Sequence, residues 1–297
     1  MADRSARRES PHRPHEGVER LHKRSTPITL LWVAIAPFLL AGCRTGRNYL
    51  DVREPRYAGG PSDTASVRRG SGDTLRIVSF NIAFARKIDG AIALLSSDPS
   101  LRGADVLLLQ EMDAAGTRGI AEALGMWYVY YPAILNRRTR RDFGNAVLSR
   151  WPIVDDAKLI LPHPSRYAGT NRTATAATLQ VAESRVRVYS THLGTPLDIA
   201  SKRRANQLRA VLADAAHHPV VVIGGDLNSA DVGRLVEEAG YSWPTRAGPR
   251  TTRFGRWDHI FLKGLKSPAT GAAGSATDAR GVSDHVPVWT VAVRRPT

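Results

Sequence analysis

Short apolar, β-branched runs recur from residue 75 onward, and each ends at, or opens from, a group of carboxylate, amide or imidazole side chains. Leu75–Phe80 terminates at Asn81, and Val106–Leu109 runs directly into Gln110 and Glu111. Val186–Ser190 leads to Thr191 and His192, while Val220–Ile223 passes through Gly224 and Gly225 into Asp226, Leu227 and Asn228. Trp257, Asp258 and His259 open Ile260–Leu262, and Ser283, Asp284 and His285 open Val286–Val293. Runs of this length and composition predict buried strands. Between them, Ile199–Ala216 places Ile199, Leu208, Val211, Leu212 and Ala215 on one side of a helix, with Lys202, Arg203, Arg204 and Arg209 largely elsewhere.

Alternating strand and helix signals predict an α/β layered domain. In such domains ligands collect where strand ends and their loops converge, so the six polar groups are the candidate functional residues. Taken singly, each has a structural reading as well. Asn81 suits a turn, Glu111 a helix N-terminus, Gly-Gly-Asp-Leu-Asn an Asx turn, and His192 and His285 hydrogen-bonded core positions. The site is absent only if all of these readings hold at once.

The N-terminal segment follows a different pattern. From Ser25 to Cys43 no residue is charged, and the apolar run Ile28–Leu40 follows Arg20, Lys23 and Arg24, which is the organisation of a secretory signal. Pro27 and Pro37 and the shortness of the run argue against a helix spanning roughly 30 Å of hydrocarbon. The run closes on Leu40-Ala41-Gly42-Cys43, which resembles the lipobox of bacterial lipoprotein precursors and holds the only cysteine of the chain. Residues 1–42 are therefore expected to be a lipoprotein signal peptide, with Val18 an alternative start, and Cys43 the lipidated residue. Acylation there would make the protein exported and membrane-anchored. Residues 43–73, rich in Arg, Gly, Ser, Pro and Asp without apolar periodicity, are expected to be a flexible tether, and residues 74–297 the folded domain.

Composition narrows the classes further. The chain has 297 residues with 42 Lys and Arg against 27 Asp and Glu, a formal charge of +15, and 42% hydrophobic residues. This excludes a disordered polyelectrolyte, a disulfide-stapled miniprotein and a cysteine-rich zinc protein. A domain of this size suffices for one large core. The positive surplus favours an anionic partner.

The ordered series Ser79-Phe80-Asn81, Gln110-Glu111, Gly144-Asn145-Ala146-Val147-Leu148-Ser149-Arg150, Thr191-His192-Leu193, Gly225-Asp226-Leu227-Asn228, Trp257-Asp258-His259 and Ser283-Asp284-His285 resembles the endonuclease/exonuclease/phosphatase superfamily. The superfamily includes pancreatic deoxyribonuclease, abasic-site endonucleases, bacterial sphingomyelinases and inositol polyphosphate phosphatases. The resemblance covers about residues 75 to 294. It implies an α/β four-layer sandwich, two packed mixed β-sheets flanked by α-helices, and hydrolysis of phosphoesters with a divalent metal, Mg²⁺ or Mn²⁺.

Carried over by position, the resemblance makes Glu111 the principal metal ligand, with Asn81 beside it and Asp284 a further acid of the metal site. Asp226 matches the residue that orients or deprotonates the attacking water, and Asn228 an amide donor to water or phosphoryl oxygen. His285 matches an imidazole beside the scissile phosphate and Asp258 the carboxylate that orients it. His192 matches a second histidine of the deoxyribonuclease and sphingomyelinase branches, which argues against a dedicated abasic-site enzyme. Asn145 matches a residue of the substrate cleft, and Arg172 is a candidate phosphate contact. His259 stands where many members have Tyr.

Arg137, Arg138, Arg140 and Arg141 precede the Asn145 segment and are expected to guide substrate, the alternative being a solvated basic loop. The expected substrate is a phosphodiester, with nucleic acid preferred over phospholipid. A small-molecule phosphatase and a non-catalytic binding lipoprotein are the alternatives, and a monomer is expected. No aromatic array suggests a stacking platform: Trp127, Tyr128, Tyr130 and Tyr131 read as sheet or core packing.

Overall fold

The apolar runs form two β-sheets that face each other, seen in a computed structural model that describes residues 46–62, 72–268 and 271–294. The first sheet runs in spatial order through β1 (Gly46–Asn48), β5 (Trp127–Asn136), β6 (Arg141–Ser149), β4 (Val106–Met112), β3 (Thr74–Asn81), β14 (Val288–Arg294) and β12 (Leu265–Lys266). β2 (Tyr57–Gly59) also pairs with β5, and β13 (Ala273–Ser275) with β14. The second sheet runs β11 (Asp258–Lys263), β10 (Val221–Asp226), β9 (Ser184–His192), β8 (Thr173–Val181) and β7 (Ile153–Ile160). Both are mixed: β3 and β4 are parallel in one, β9 and β10 in the other.

Side-chain alternation along the strands builds the layers. On β3 and β4, Val78, Phe80, Leu107 and Leu109 face outward and pack on α1 (Ile88–Ser97) and α2 (Ala114–Leu124) through Leu94, Leu95 and Ile120. Tyr189, Val221, Ile223 and Phe261 face outward from the second sheet and meet Leu208, Val211 and Ala215 of α3 (Ser201–Ala215) and Val236 of α4 (Arg234–Glu238). Between the sheets lie Ile77, Val106, Leu108, Val147, Val188, Val222 and Ile260. This is the four-layer architecture expected from the sequence. Each fully buried side chain of this kind contributes roughly 1.5–3 kcal/mol.

Towards one end the inter-sheet face turns polar without leaving its register. Ser79 and Asn81 continue the face of Leu75 and Ile77, Gln110 that of Val106 and Leu108, Ser190 and His192 that of Val186 and Val188, and Asp226 that of Val222. Beneath the outermost row the sheets are joined by hydrogen bonds: Gln110 Nε2 donates to Ser190 Oγ at 2.9 Å, and Ser190 Oγ donates to Leu109 O at 2.9 Å.

Residues 46–62, expected to belong to a flexible tether, are instead docked on the domain. β1 pairs with Ile134–Asn136 and β2 with Tyr128–Tyr130. Arg56 forks onto Asp156 at 2.7 and 2.6 Å, and Lys158 Nζ donates to the carbonyls of Glu54 at 2.7 Å and Tyr49 at 3.3 Å. The segment escapes a hydrophobicity reading because backbone pairing and these charged side chains hold it. The signal peptide and Cys43 lie outside the described residues, as do residues 63–71 of the tether. Among the described residues no helix is long and apolar enough to cross a membrane.

Candidate active site

Asp226 stands at the centre of the polar end. It closes β10, where it is in register with His192 of β9 on one side and Asp258 of β11 on the other. This pairing depends on Gly225, whose φ is +150° and whose Cβ, if present, would lie 1.8 Å from Thr191 O. Gly225→Ala must therefore force β9 and β10 apart, which is expected to cost about 3 kcal/mol or more. At Gly224 the added Cβ meets a side-chain methyl of Leu108 at 2.5 Å instead of backbone, so Gly224→Ala is expected to cost less. Urea unfolding of the two variants checks the order, and equal losses would remove the backbone contact as the reason for Gly225.

Asp226 is 2% exposed and surrounded by donors. Its Oδ1 accepts from Asn228 N at 2.8 Å, and its Oδ2 accepts from Asn81 Nδ2 at 3.2 Å. His192 Nε2 lies 3.3 Å and His285 Nε2 3.7 Å from the same Oδ2. Burial, reinforced by the negative charges of Asp258 and Glu111, still pushes the Asp226 carboxyl up to about 7.

The tautomer of His192 follows from its neighbour. Arg172 Nη1 lies 3.2 Å from His192 Nδ1, and a guanidinium only donates, so Nδ1 accepts and Nε2 carries the proton towards Asp226. Burial, together with the positive charges of Arg172 and His285, holds His192 well below the usual imidazole range. It is a neutral donor.

His285 is the opposite case. Burial alone would lower it, but the carboxylate of Asp258, whose Oδ2 is 2.8 Å from His285 Nδ1, raises it to about 10, with Asp226 and Asp284 adding to the effect. Its Nε2 then presents a charged N–H to the site. Thr251 Oγ1 holds the backbone of Asp258 by accepting from its N at 3.2 Å, and Ser283 Oγ accepts from His285 N at 3.1 Å while donating to Asn81 O at 2.7 Å. Neither supporting hydroxyl was assigned a role from the sequence, although Ser283 stands within the Ser-Asp-His motif.

Glu111 reaches the site through a bulge. Leu107, Leu109 and Met112 all face the helices, so one extra residue lies between Leu109 and Met112, where the pairing of β4 with β6 breaks register. Glu111 carries the resulting strain, with φ +58°. Its Oε1 accepts from Asn81 Nδ2 at 3.3 Å and its Oε2 from Phe84 N at 3.1 Å. Burial raises its carboxyl above the ordinary value even though Arg172, Asn81 and His285 pull it down. Asp284 is exposed at the edge, and its negative charge is felt by both Glu111 and His285.

The residues expected to contact substrate sit in different surroundings. Asn145 is buried between the sheets, where its Nδ2 donates to Thr173 O at 2.6 Å and its backbone carbonyl accepts from Thr175 Oγ1 at 2.7 Å. Its amide stitches β6 to β8, because the strand's inward parity places it under the cleft. Arg137 and Arg138 sit exposed at the tip of the β5–β6 hairpin with no bond to a site residue, while Arg141 binds Asp113 and the carbonyl of Ala85. Arg172 lies against His192, where burial lowers its pKa and the negative charges of Glu111 and Asp226 oppose that shift.

The donor set suits a hard cation. Ligand atoms of Asp226, Asp258 and His285 lie within 4.8 Å of one another, and Asp258 Oδ1 is buried without a hydrogen-bond partner. Glu111 and Asp284 add further carboxylate oxygens, the ligand chemistry of Mg²⁺ and Mn²⁺, while Asn81 turns its Nδ2 to Glu111 and Asp226 and its Oδ1 accepts from Ala83 N at 3.1 Å.

Residues 78–285 match the family model described as Endonuclease/Exonuclease/phosphatase family. No curated protein matches the chain in sequence. Among solved structures, a conserved protein of unknown function from Enterococcus faecalis V583 superposes with a TM-score of 0.59 at 18% identity, over 74% of this chain and 100% of the other. D. rerio TDP2 complexed with a single-strand DNA product gives 0.56 at 18%, over 74% and 98%. Sphingomyelinase C from Streptomyces griseocarneus gives 0.53 at 19%, over 75% and 99%. At these identities the likeness is one of fold.

Proposed function

This chain belongs to the endonuclease/exonuclease/phosphatase family, and we propose that within it the protein is an exported, lipid-anchored, Mg²⁺- or Mn²⁺-dependent phosphodiesterase whose preferred substrate is nucleic acid. The observation that carries this reading is the convergence of Asn81, Glu111, His192, Asp226, Asn228 and the Asp258–His285 pair at one end of the two sheets.

Glu111 and Asp284 would hold the cation, joined by Asn81 once its amide turns Oδ1 from Ala83 N towards the site, and the cation when bound would neutralise phosphoryl oxygens as a Lewis acid. Asp258 Oδ2 and His285 Nδ1 are already bonded to each other, so with Asp226 they serve better as a carboxylate–imidazole chain than as a metal cage. Asp226, at about 7, is suited to accept the proton of an attacking water at neutral pH. His285 offers its charged Nε2–H to a phosphoryl oxygen. His192 stays neutral, held by Arg172, and keeps Asp226 oriented. Asn228, in the left-handed region at φ +50°, has one N–H bonded to Leu193 O at 3.0 Å and can offer the other to the phosphoryl group.

A phospholipid phosphodiesterase is the second reading. It is favoured by Leu197, 92% exposed on the loop that follows His192. One panel separates the readings: plasmid DNA, bis-p-nitrophenyl phosphate, p-nitrophenyl phosphate and sphingomyelin, each with Mg²⁺, Mn²⁺ or chelator. Cleavage of DNA and of the bis ester, abolished by chelator and restored by either metal, is the expected result. Preference for the monoester, or metal-dependent cleavage of sphingomyelin alone, would overturn the nuclease assignment. Metabolic labelling with a fatty acid, lost in Cys43→Ser, checks the anchor.

A further inference from the structure

Two aromatic stacks rise beside the catalytic residues, one from β6 of the first sheet and one from the loop that enters β11 of the second. On the β6 side, the Phe143 ring lies 5.9 Å from that of His192 and 5.5 Å from that of Phe84, and Arg86 lies 4.7 Å over Phe84. On the β11 side, Trp257, the residue before Asp258, stacks on Phe254 with centroids 5.5 Å apart and planes 13° apart, and Arg253 lies 4.4 Å over Phe254. The first runs from His192 through Phe143 to Phe84 and the second from Trp257, the sequence neighbour of Asp258, to Phe254, and each ends in an outer Phe topped by a guanidinium. The outer rings face water: Phe84 is 46% and Phe254 63% exposed.

Neither outer ring is placed there by core packing. Ala83, Phe84 and Ala85 all have positive φ, 47°, 63° and 50°, a turn that a bulky residue occupies only under strain. Arg141 secures that turn through Ala85 O, and Glu111 secures it by accepting from Phe84 N. Phe254 lies in a tight loop in which Thr252 Oγ1 accepts from Phe254 N and Gly255 N, both at 3.1 Å. Arg86 and Arg253 have no carboxylate partner among the described residues, so both guanidinium groups are available to an anion.

Resting on the phosphodiesterase reading, we infer that these stacks are base-binding ledges and that the substrate is single-stranded nucleic acid held with a base on each side of the scissile phosphate. An exposed ring topped by an unpaired arginine suits a base and its phosphate. The base takes the ring face, and the guanidinium moves to the backbone or stacks in turn. A duplex keeps its bases paired and away from such ledges. A bilayer needs apolar tips rather than ring faces, and would accept an aliphatic side chain equally well.

Equilibrium binding in chelator, where no turnover occurs, tests the inference with labelled dT12, an abasic deoxyribose-phosphate 12-mer of equal charge, and vesicles of anionic phospholipid. The protein is expected to bind dT12 more tightly than the abasic oligomer. Phe84→Leu and Phe254→Leu are each expected to weaken dT12 binding by about 5- to 150-fold, the range of one lost stacked base, while leaving the abasic oligomer unaffected. Unchanged melting temperatures would show that these exposed substitutions leave the fold intact. Equal affinity for the two oligomers, or Leu variants that bind dT12 normally, would overturn the inference. So would vesicle binding that survives Phe→Leu but falls in Leu197→Ser without any effect of the Leu variants on dT12. Failure of the phosphodiesterase reading shows separately, as absence of metal-dependent diester cleavage by the unaltered protein.

Discussion

Asp226→Asn is expected to lower metal-dependent phosphodiester hydrolysis by about 10²- to 10⁴-fold, the usual contribution of a positioned general base. The amide cannot take a proton from water, and its NH2 would face the donors of Asn81 and His192 that now point at Oδ2. The same variant has a signature in stability. Folding moves this carboxyl from its ordinary 3.8 up to about 7, through burial and then the neighbouring charges. Because the folded value is the higher one, its contribution is complete below about pH 4 and is lost as pH rises through about 7. The loss is roughly 4 kcal/mol at most. The melting temperature of the metal-free protein is therefore expected to fall more steeply between pH 4 and 8 in the native chain than in Asp226→Asn. Parallel curves would mean that Asp226 titrates in the folded protein as it does in the unfolded chain, and that it is no poised base.

The second large effect is expected at Asp258. His285 owes its charge to that carboxylate, since burial alone would favour the neutral ring. Asp258→Asn is expected to reduce turnover by about 10²- to 10⁴-fold near neutral pH, with the ring left uncharged and free to adopt the other tautomer. The pH profile gives the sign. A group raised by its partner stays protonated until its own value is reached, so the His285-dependent activity of the native enzyme should persist until pH rises through about 10. In Asp258→Asn that alkaline limb should move to about 6.5 or below, leaving residual activity only in a narrow band between it and the limb on which Asp226 loses its proton. A limb that does not move would separate Asp258 from His285, and Asp258 would then act in some other way, for instance towards a cation.

The strand ends were legible because a buried strand cannot carry an acid or an imidazole without cause. Val220–Ile223 followed by Asp226, and Val186–Ser190 followed by His192, announce both a strand and its functional end. The two-residue period also places Asn81, His192 and Asp226 on one face. Glu111 breaks that period. Its parity puts it with Leu109 and the helices, and only the bulge, which has no local signature, turns it inward.

Asn145 is ambiguous in sequence for a related reason. An amide in a strand looks the same whether it faces a ligand or, as here, a carbonyl of the opposite sheet. β1 and β2 lack apolar periodicity because neighbouring backbone and the side chains of Asp156 and Lys158 hold them. The aromatic stacks draw their rings from three separate segments, around residues 84, 143 and 254–257, and no stretch of the chain displays them together.

With the proposed lipid on Cys43, docking of residues 46–62 would also limit how far the catalytic mouth can travel. A leash from residue 43 to residue 73 would span on the order of 100 Å when stretched, letting the domain sweep a wide hemisphere. With β1 starting at Gly46, three peptide steps, about 10 Å at full stretch, would separate that strand from a lipid carried on Cys43. The enzyme proposed here would ride flush with the headgroups, and its prey would have to come to the surface or thread between domain and bilayer.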